Sequence, residues 1–337
     1  MCLVLIRYHD KYKNYVMKRI LVILAWIALF LPANAMDPVK KWGQLQVIGN
    51  QLCSENGSPV VLRGVSLGWH NLWPRFYNRQ VVSWLKNDWN ATVVRAAMGI
   101  LIEDNYLDNP QFALKCMKPV IESAISNGIY VIIDWHSHKL CTPQAVEFFG
   151  AMAHQYGKHP NIIYEIYNEP VNDSWESLKA YATQVIKEIR KYDKKNIVLV
   201  GCPHWDQDID LVAKSPLKGF KNIMYTVHFY AATHKDELRN KVVDAIHQGI
   251  PVFISESGAT EASGDGKIDY SEWQKWIDME EANRISWIMW SISDKNESCS
   301  MLLPRASSRG GWQEDVIKPY GRKTREYLRQ LNTVYNE

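Results

Sequence analysis

Ile162-Ile163-Tyr164-Glu165-Ile166-Tyr167-Asn168-Glu169-Pro170 has the composition of a buried parallel strand with a carboxylate at its end. Its β-branched and aromatic run is apolar on both faces, as in a strand buried from both sides in a parallel sheet. It closes on a carboxylate and breaks at proline. Phe253-Ile254-Ser255-Glu256-Ser257-Gly258 repeats the arrangement, with glycine as the break. Strands that end this way deliver side chains to the C-terminal mouth of a barrel.

Short β-branched runs recur along the chain at 60–66, 92–97, 129–134, 162–167, 197–200, 223–228, 252–255 and 285–290. Amphipathic segments near 79–87, 111–127, 143–157, 174–192, 235–248, 270–282 and 314–331 fill the gaps, with a weaker one at 206–214. Eight strands alternating with helices predict an α/β fold, a (β/α)8 TIM barrel. No GxGxxG or GxxxxGKS/T sequence supplies the phosphate loop of a doubly wound sheet. Residues 43–59, with Asn56-Gly57 at a tight turn, read as a short N-terminal hairpin under the barrel.

The first 35 residues read as a secretory signal peptide. Lys18 and Arg19 precede an apolar run from Ile20 to Leu31, too short to span a bilayer comfortably, and Ala33-Asn34-Ala35 supplies a small-x-small end. Met17 is an alternative true start. Residues 36–337 are then one catalytic domain. The chain carries a formal charge of +3, but cleavage removes five of its 39 basic side chains and one of its 36 acidic ones, leaving −1. That balance gives no electrostatic case for nucleic acid or an anionic membrane, and the expectation is a secreted, extracellular monomer.

Five cysteines remain, Cys53, Cys116, Cys141, Cys202 and Cys299. An odd number leaves at least one thiol unpaired, and their spacing fits no zinc site. No metal and no cofactor are expected. Asn90, Asn172 and Asn296 open glycosylation sequons, Asn90 the least available because a strand follows it directly.

Polar residues gather at the C-terminal ends of the strands. These are Arg95, Asp134-Trp135-His136, Asn168-Glu169, His228-Phe229-Tyr230, Glu256 and Trp290. Singly, Arg95 fits a buried ion pair, His136 and His228 fit core histidines, and Trp290 fits plain core. Packing does not require all of them at one rim, and several are costly to bury without partners. Two carboxylates on different strands are the minimum equipment for cleaving a glycosidic bond. The 14 Trp and 17 Tyr supply faces on which a sugar ring can stack.

Val94-Arg95-Ala96-Ala97-Met98, Val131 to His136, Ile163 to Pro170 and Val227-His228-Phe229-Tyr230-Ala231 resemble the motifs of glycoside hydrolase family 5 cellulases. So do Ile254-Ser255-Glu256, Trp290-Ser291 and Asp294 to Ser298. The resemblance covers about Gly43 to Pro304 and implies a retaining endo-β-1,4-glucanase acting on a β-glucan. It implies Glu169 as acid/base and Glu256 as nucleophile. Asn168 would bond the sugar 2-hydroxyl, Arg95 and Tyr230 would orient Glu256, and His228 would support Glu169. His136, Trp290, Trp205, Lys295, Trp73 and His70 would bind substrate. Mannanase or xyloglucanase activity on the same scaffold, and a barrel that binds sugar without cutting it, are the alternatives. One departure stands out: Ser257 follows the nucleophile where relatives usually carry an aromatic, which would either loosen packing near the nucleophile or widen a glycone subsite.

Overall fold

A computed structural model describes residues 37–333; the expected signal peptide lies outside them. Two short antiparallel strands, β1 (Gln46–Ile48) and β2 (Gln51–Cys53), precede eight parallel ones. These are β3 (Arg63–Leu67), β4 (Val93–Gly99), β5 (Tyr130–His136), β6 (Ile162–Glu165), β7 (Ile197–Val200), β8 (Ile223–Tyr230), β9 (Val252–Gly258) and β10 (Trp287–Ile292). They close in chain order, β10 pairing with β3. The (β/α)8 expectation is therefore met, each strand lying close to its predicted position.

Period-two alternation sorts the strand residues into two cores. Tyr130 and Ile132 of β5 point into the barrel with Ile163, Leu199, Met224, Phe253 and Ile288. Val131, Ile133 and Trp135 of the same strand face the surrounding helices. Trp42, Leu45 and Leu52 from the N-terminal segment complete the inner cluster and seal the barrel's lower end, and Tyr130 donates to the Gly43 carbonyl at 2.8 Å.

Boundaries differ from expectation where tertiary contacts take over. The hairpin turns at Gly49-Asn50, with Gly49 at φ 62°, and Asn56-Gly57 makes a second turn that folds β2 back toward Pro59. The first barrel strand begins at Arg63 because Val60–Leu62 still belong to the plug region. The last helix starts at Pro319, after a 3-10 turn at Glu314–Val316. The weak stretch 206–214 resolves into a left-handed turn at His204–Asp206 and a short helix, Ile209–Lys214. All five cysteines between 37 and 333 are free thiols. Asn172 and Asn296 are exposed and Asn90 half-buried. No helix among the described residues is long and apolar enough to cross a membrane.

Candidate active site

Above the apolar layer the barrel interior turns charged. Arg95 is wholly buried on β4 and its guanidinium is shared among several acceptors. Nε meets Glu165 Oε2 at 2.6 Å, Nη1 meets Glu256 Oε2 at 3.0 Å, and Nη2 meets Asn168 Oδ1 at 2.6 Å and Asp134 Oδ2 at 3.0 Å. Burial works against the cation, but Asp134, Glu165 and Glu256 outweigh it and hold the charge in place.

Glu169 sits four residues beyond β6. The Asn168 and Glu169 amides continue the β5 edge by donating to the carbonyls of Trp135 (3.0 Å) and Ser137 (3.2 Å). Glu256 lies within β9, at a register shift against β8. Thr226 pairs with Phe253, but His228 pairs with Glu256, so β9 carries one extra residue. Such a bulge breaks alternation, which is why Ser255 and Glu256 both reach the interior network. Gly258 ends the strand under Tyr230, where a Cβ would stand 2.6 Å from the tyrosine ring.

The two glutamates face each other. A carboxylate oxygen from each lies within 4.8 Å of the other and of a His228 nitrogen. Glu256 accepts from Tyr230 Oη at 2.7 Å as well as from Arg95. Glu169 meets His228 Nδ1 at 3.0 Å and His138 Nε2 at 3.1 Å. The cluster's spacing would suit a cation, but Arg95 already neutralises Glu256 and two imidazoles already bond Glu169, so the set is complete without one.

Electrostatics follow from those partners. Burial pushes Glu169 up, yet its bonds from His138 and His228 bring it down to about 2. Burial and the charge of Glu169 raise Glu256 above the usual carboxylate range, against the pull of Arg95. Burial opposes the His228 cation, but Asp206, Glu165 and Glu169 raise it well above an ordinary histidine. A low Glu169 beside a high His228 describes one proton held between two groups, imidazolium–carboxylate or imidazole–carboxylic acid, and the pair titrates as a unit. His136 is driven well down by burial and by Arg95, so it is neutral, with Nδ1 donating to Asp134 Oδ2 at 2.7 Å.

Two adjoining hollows, of about 510 and 240 Å³, share Glu169, Tyr230, Glu256 and Ala262, so the cleft extends to both sides of the carboxylates. Trp205 and His204 line the larger one. Trp73, Trp290, His136 and Lys295 line the smaller one. Trp290 stacks on His136 at 5.2 Å and 11°. Buried Asn168 accepts from Arg95 through Oδ1, while its Nδ2 has no hydrogen-bond partner among the described residues.

Two expectations need correction. His70 is fully buried, its Nδ1 accepting the Gly99 amide at 2.9 Å and its ring lying against Phe112 and Tyr77, so it does not reach the cleft. Ser257 is fully buried in the barrel wall, donating to the Ile288 carbonyl at 2.9 Å, so it widens no subsite. Four participants escaped the sequence reading. Glu165 stands in the opening motif at the inward-facing phase, which was a usable signal. His138, and Trp69, which lines the smaller hollow with its ring edge-on to His136 at 4.7 Å, follow strand ends by two residues, a weaker one. Asp206 sits on a left-handed turn, which pattern does not reveal.

The family model for Cellulase (glycosyl hydrolase family 5) matches residues 53–296. The chain is 40% identical over 299 residues to an endoglucanase of Clostridium saccharobutylicum, covering 87% of this chain and 66% of that protein, so it spans about two thirds of the relative's length. A solved structure from Cytophaga hutchinsonii superposes with a TM-score of 0.87 at 44% identity, over 88% of this chain and 98% of that one. The catalytic domain of Thermobifida fusca endoglucanase Cel5A gives 0.82 at 34% identity, over 87% and 99%; a variant of it has been crystallised with cellotetraose.

Proposed function

From the premise that the chain belongs to glycosyl hydrolase family 5, the cellulases, we propose that it is a retaining endo-β-1,4-glucanase cutting internal bonds of cellulose or a related β-glucan. The observation that carries this reading is that Glu169 and Glu256 face each other, one carboxylate oxygen of each within 4.8 Å, in a cleft that extends to both sides of them. Retaining glycosidases place the two groups about 5–5.5 Å apart, whereas inverting ones leave about 6.5–9.5 Å for a water.

The chain's own residues supply each step. Glu256, oriented by Arg95 and Tyr230, attacks the anomeric carbon as the bond to the leaving oxygen breaks. Glu169 gives that oxygen a proton, the one it shares with His228. The products are a glycosyl ester on Glu256 and a carboxylate on Glu169. That carboxylate takes a proton from water, the hydroxyl attacks the same carbon, and Glu256 leaves. Asn168 Nδ2 would bond the 2-hydroxyl and Trp290 would floor the ring at the cleavage point. Lys295, Trp73 and Trp205 would hold neighbouring sugars. Secretion rests on the basic-then-apolar segment at 18–35.

Reducing-end release on carboxymethylcellulose, galactomannan and xyloglucan tests the substrate, with carboxymethylcellulose expected to dominate. An NMR time course should show the β-anomer first. Initial α-anomer would overturn the retaining assignment, and preference for galactomannan would overturn the glucanase.

A further inference from the structure

After β7 three consecutive non-glycine residues are left-handed, His204 (φ 58°), Trp205 (53°) and Asp206 (59°). L-residues adopt that conformation singly and at a cost, so a run of three needs fastening. The Trp205 amide donates to the Pro170 carbonyl at 2.8 Å, next to Glu169. Asp206 Oδ1 accepts the Cys202 amide at 2.7 Å and closes the turn from below. Its neighbour in the turn, Trp205, is 40% exposed in the cleft, while Asp206 is fully buried.

The other oxygen of Asp206 points at the catalytic histidine. Oδ2 accepts from Thr226 Oγ1 at 2.8 Å and lies 3.4 Å from His228 Nε2. Around that nitrogen also stand Ser255 Oγ at 2.9 Å and Glu165 Oε1 at 3.6 Å. The Ser255 hydroxyl donates to Glu165 Oε1 at 2.6 Å, so it turns a lone pair toward the imidazole. Three acceptors around Nε2 fix a hydrogen there. Nδ1 then faces Glu169 free to accept a proton in the neutral ring and to return it from the cation.

We propose that Asp206 is a positioning residue for proton transfer, locking the Nε2–H tautomer of His228 while clamping the turn that carries Trp205, so that one buried carboxyl sets both the acid/base pair and a sugar-binding ring. The inference deepens the glucanase reading and rests on it. Asp206 touches no substrate. The titratable groups that face it are His228 of β8, Glu165 of β6, Glu169 beyond β6 and Cys202 of its own segment, and Glu256 of β9 faces His228 as well.

Asp206→Asn keeps an acceptor for the Cys202 amide but turns a donor toward Nε2, which favours the opposite tautomer. Two substrates read the consequence. Cello-oligosaccharide needs its leaving oxygen protonated, whereas 2,4-dinitrophenyl β-cellobioside expels a good leaving group unaided. In Asp206→Asn, kcat/KM on the oligosaccharide should fall about tenfold or more relative to the dinitrophenyl substrate, and its alkaline limb should move down by about one pH unit. An equal loss on both substrates, or none, with the limb unmoved, overturns the proposal. Should Asp206→Asn fail to fold, the wild-type ring decides: above the alkaline limb, ¹⁵N NMR should show the neutral His228 ring protonated at Nε2 and bare at Nδ1. A neutral ring protonated at Nδ1 overturns the proposal. Failure of the glucanase reading is separable: wild-type protein inert on both substrates, or Glu169→Gln still cleaving the oligosaccharide, would break that premise before Asp206 is tested.

Discussion

The lower barrel and its upper rim are built from the same eight strands, yet they face inward with opposite chemistry. Below, Tyr130, Ile132, Ile163, Leu199, Met224, Phe253 and Ile288 interlock with Leu45 and Leu52. One to three inward positions further along, β4 offers Arg95, β5 Asp134 and His136, β6 Glu165, β8 His228 and Tyr230, and β9 Glu256. The first layer gains from leaving water, on the order of 25 cal/mol per Å² of apolar surface. The second gains only where each charge finds a partner, because a buried ion pair roughly balances its own desolvation and costs about 3–5 kcal/mol when broken. The lower layer therefore holds the barrel closed, and the upper one is retained for what it does. Burial and carboxylate crowding at the rim push Asp134, Asp206 and Glu256 above the usual carboxylate range, against the bonds from Arg95, His136, Thr226 and Tyr230 that hold them as acceptors.

If the two layers divide labour in this way, substitution should separate activity from stability. The largest effect belongs to the rim. Glu256→Gln and Glu169→Gln keep side-chain shape but can neither attack nor donate a proton, and each should lower kcat on cello-oligosaccharides by about 10³-fold or more. Thermal melting of either variant should be at or above wild type, because Arg95 keeps Glu165 and Asp134 and His228 keeps Asp206, so neither change strands a buried charge while each relieves carboxylate crowding. A large drop in Tm would mean that the rim also carries the fold.

The lower layer should behave in reverse. Ile163→Ala leaves a cavity beside Tyr130 and Ile132 and should cost about 2–5 kcal/mol of unfolding free energy. Glu165 lies two residues further along β6, so the test is whether the defect stays below. Per folded molecule, kcat should remain within about twofold of wild type. A loss of tenfold or more would show that the apolar layer fixes the position of the charged one, and the two regions would no longer be separable.

The same division explains what could be read from sequence. Parallel strands buried on both faces produce unbroken apolar runs, so all eight were legible, and so was the rim, because Arg95, His228 and Glu256 interrupt those runs. Glu169 was legible through its motif although β6 ends at Glu165. What escaped depends on tertiary approach. The bulge that brings Ser255 inward beside Glu256 violates strand periodicity. His70 lies in a loop suited to a cleft, and only the fold shows its ring capping the Gly99 amide. Asp206 reaches His228 through a conformation that no residue in 204–206 would predict.

The smallest effect concerns a carboxyl that belongs to the lower half and breaks its rule. Glu280, on the helix Tyr270–Asn283, is fully buried, and neither of its oxygens has a hydrogen-bond partner among the described residues. Its neighbour Glu281 takes the bonds from Arg63 at the start of β3. Burial, with the Glu281 charge adding, raises the Glu280 carboxyl well above its ordinary value near 4.5. The folded chain thus keeps a proton that the unfolded chain releases. The stability tied to that proton is whole below about pH 4.5 and drains as pH rises toward the folded value, at up to about 1.4 kcal/mol per pH unit. Glu280→Gln carries no titrating proton, so its stability relative to wild type should climb with pH from about 5 upward, read as a widening gap between two urea-denaturation midpoints. The rim carboxylates titrate in both proteins and cancel in that difference. Parallel pH profiles would mean that Glu280 is charged in the fold with an unseen partner, and the apolar lower half would then contain a working ion pair.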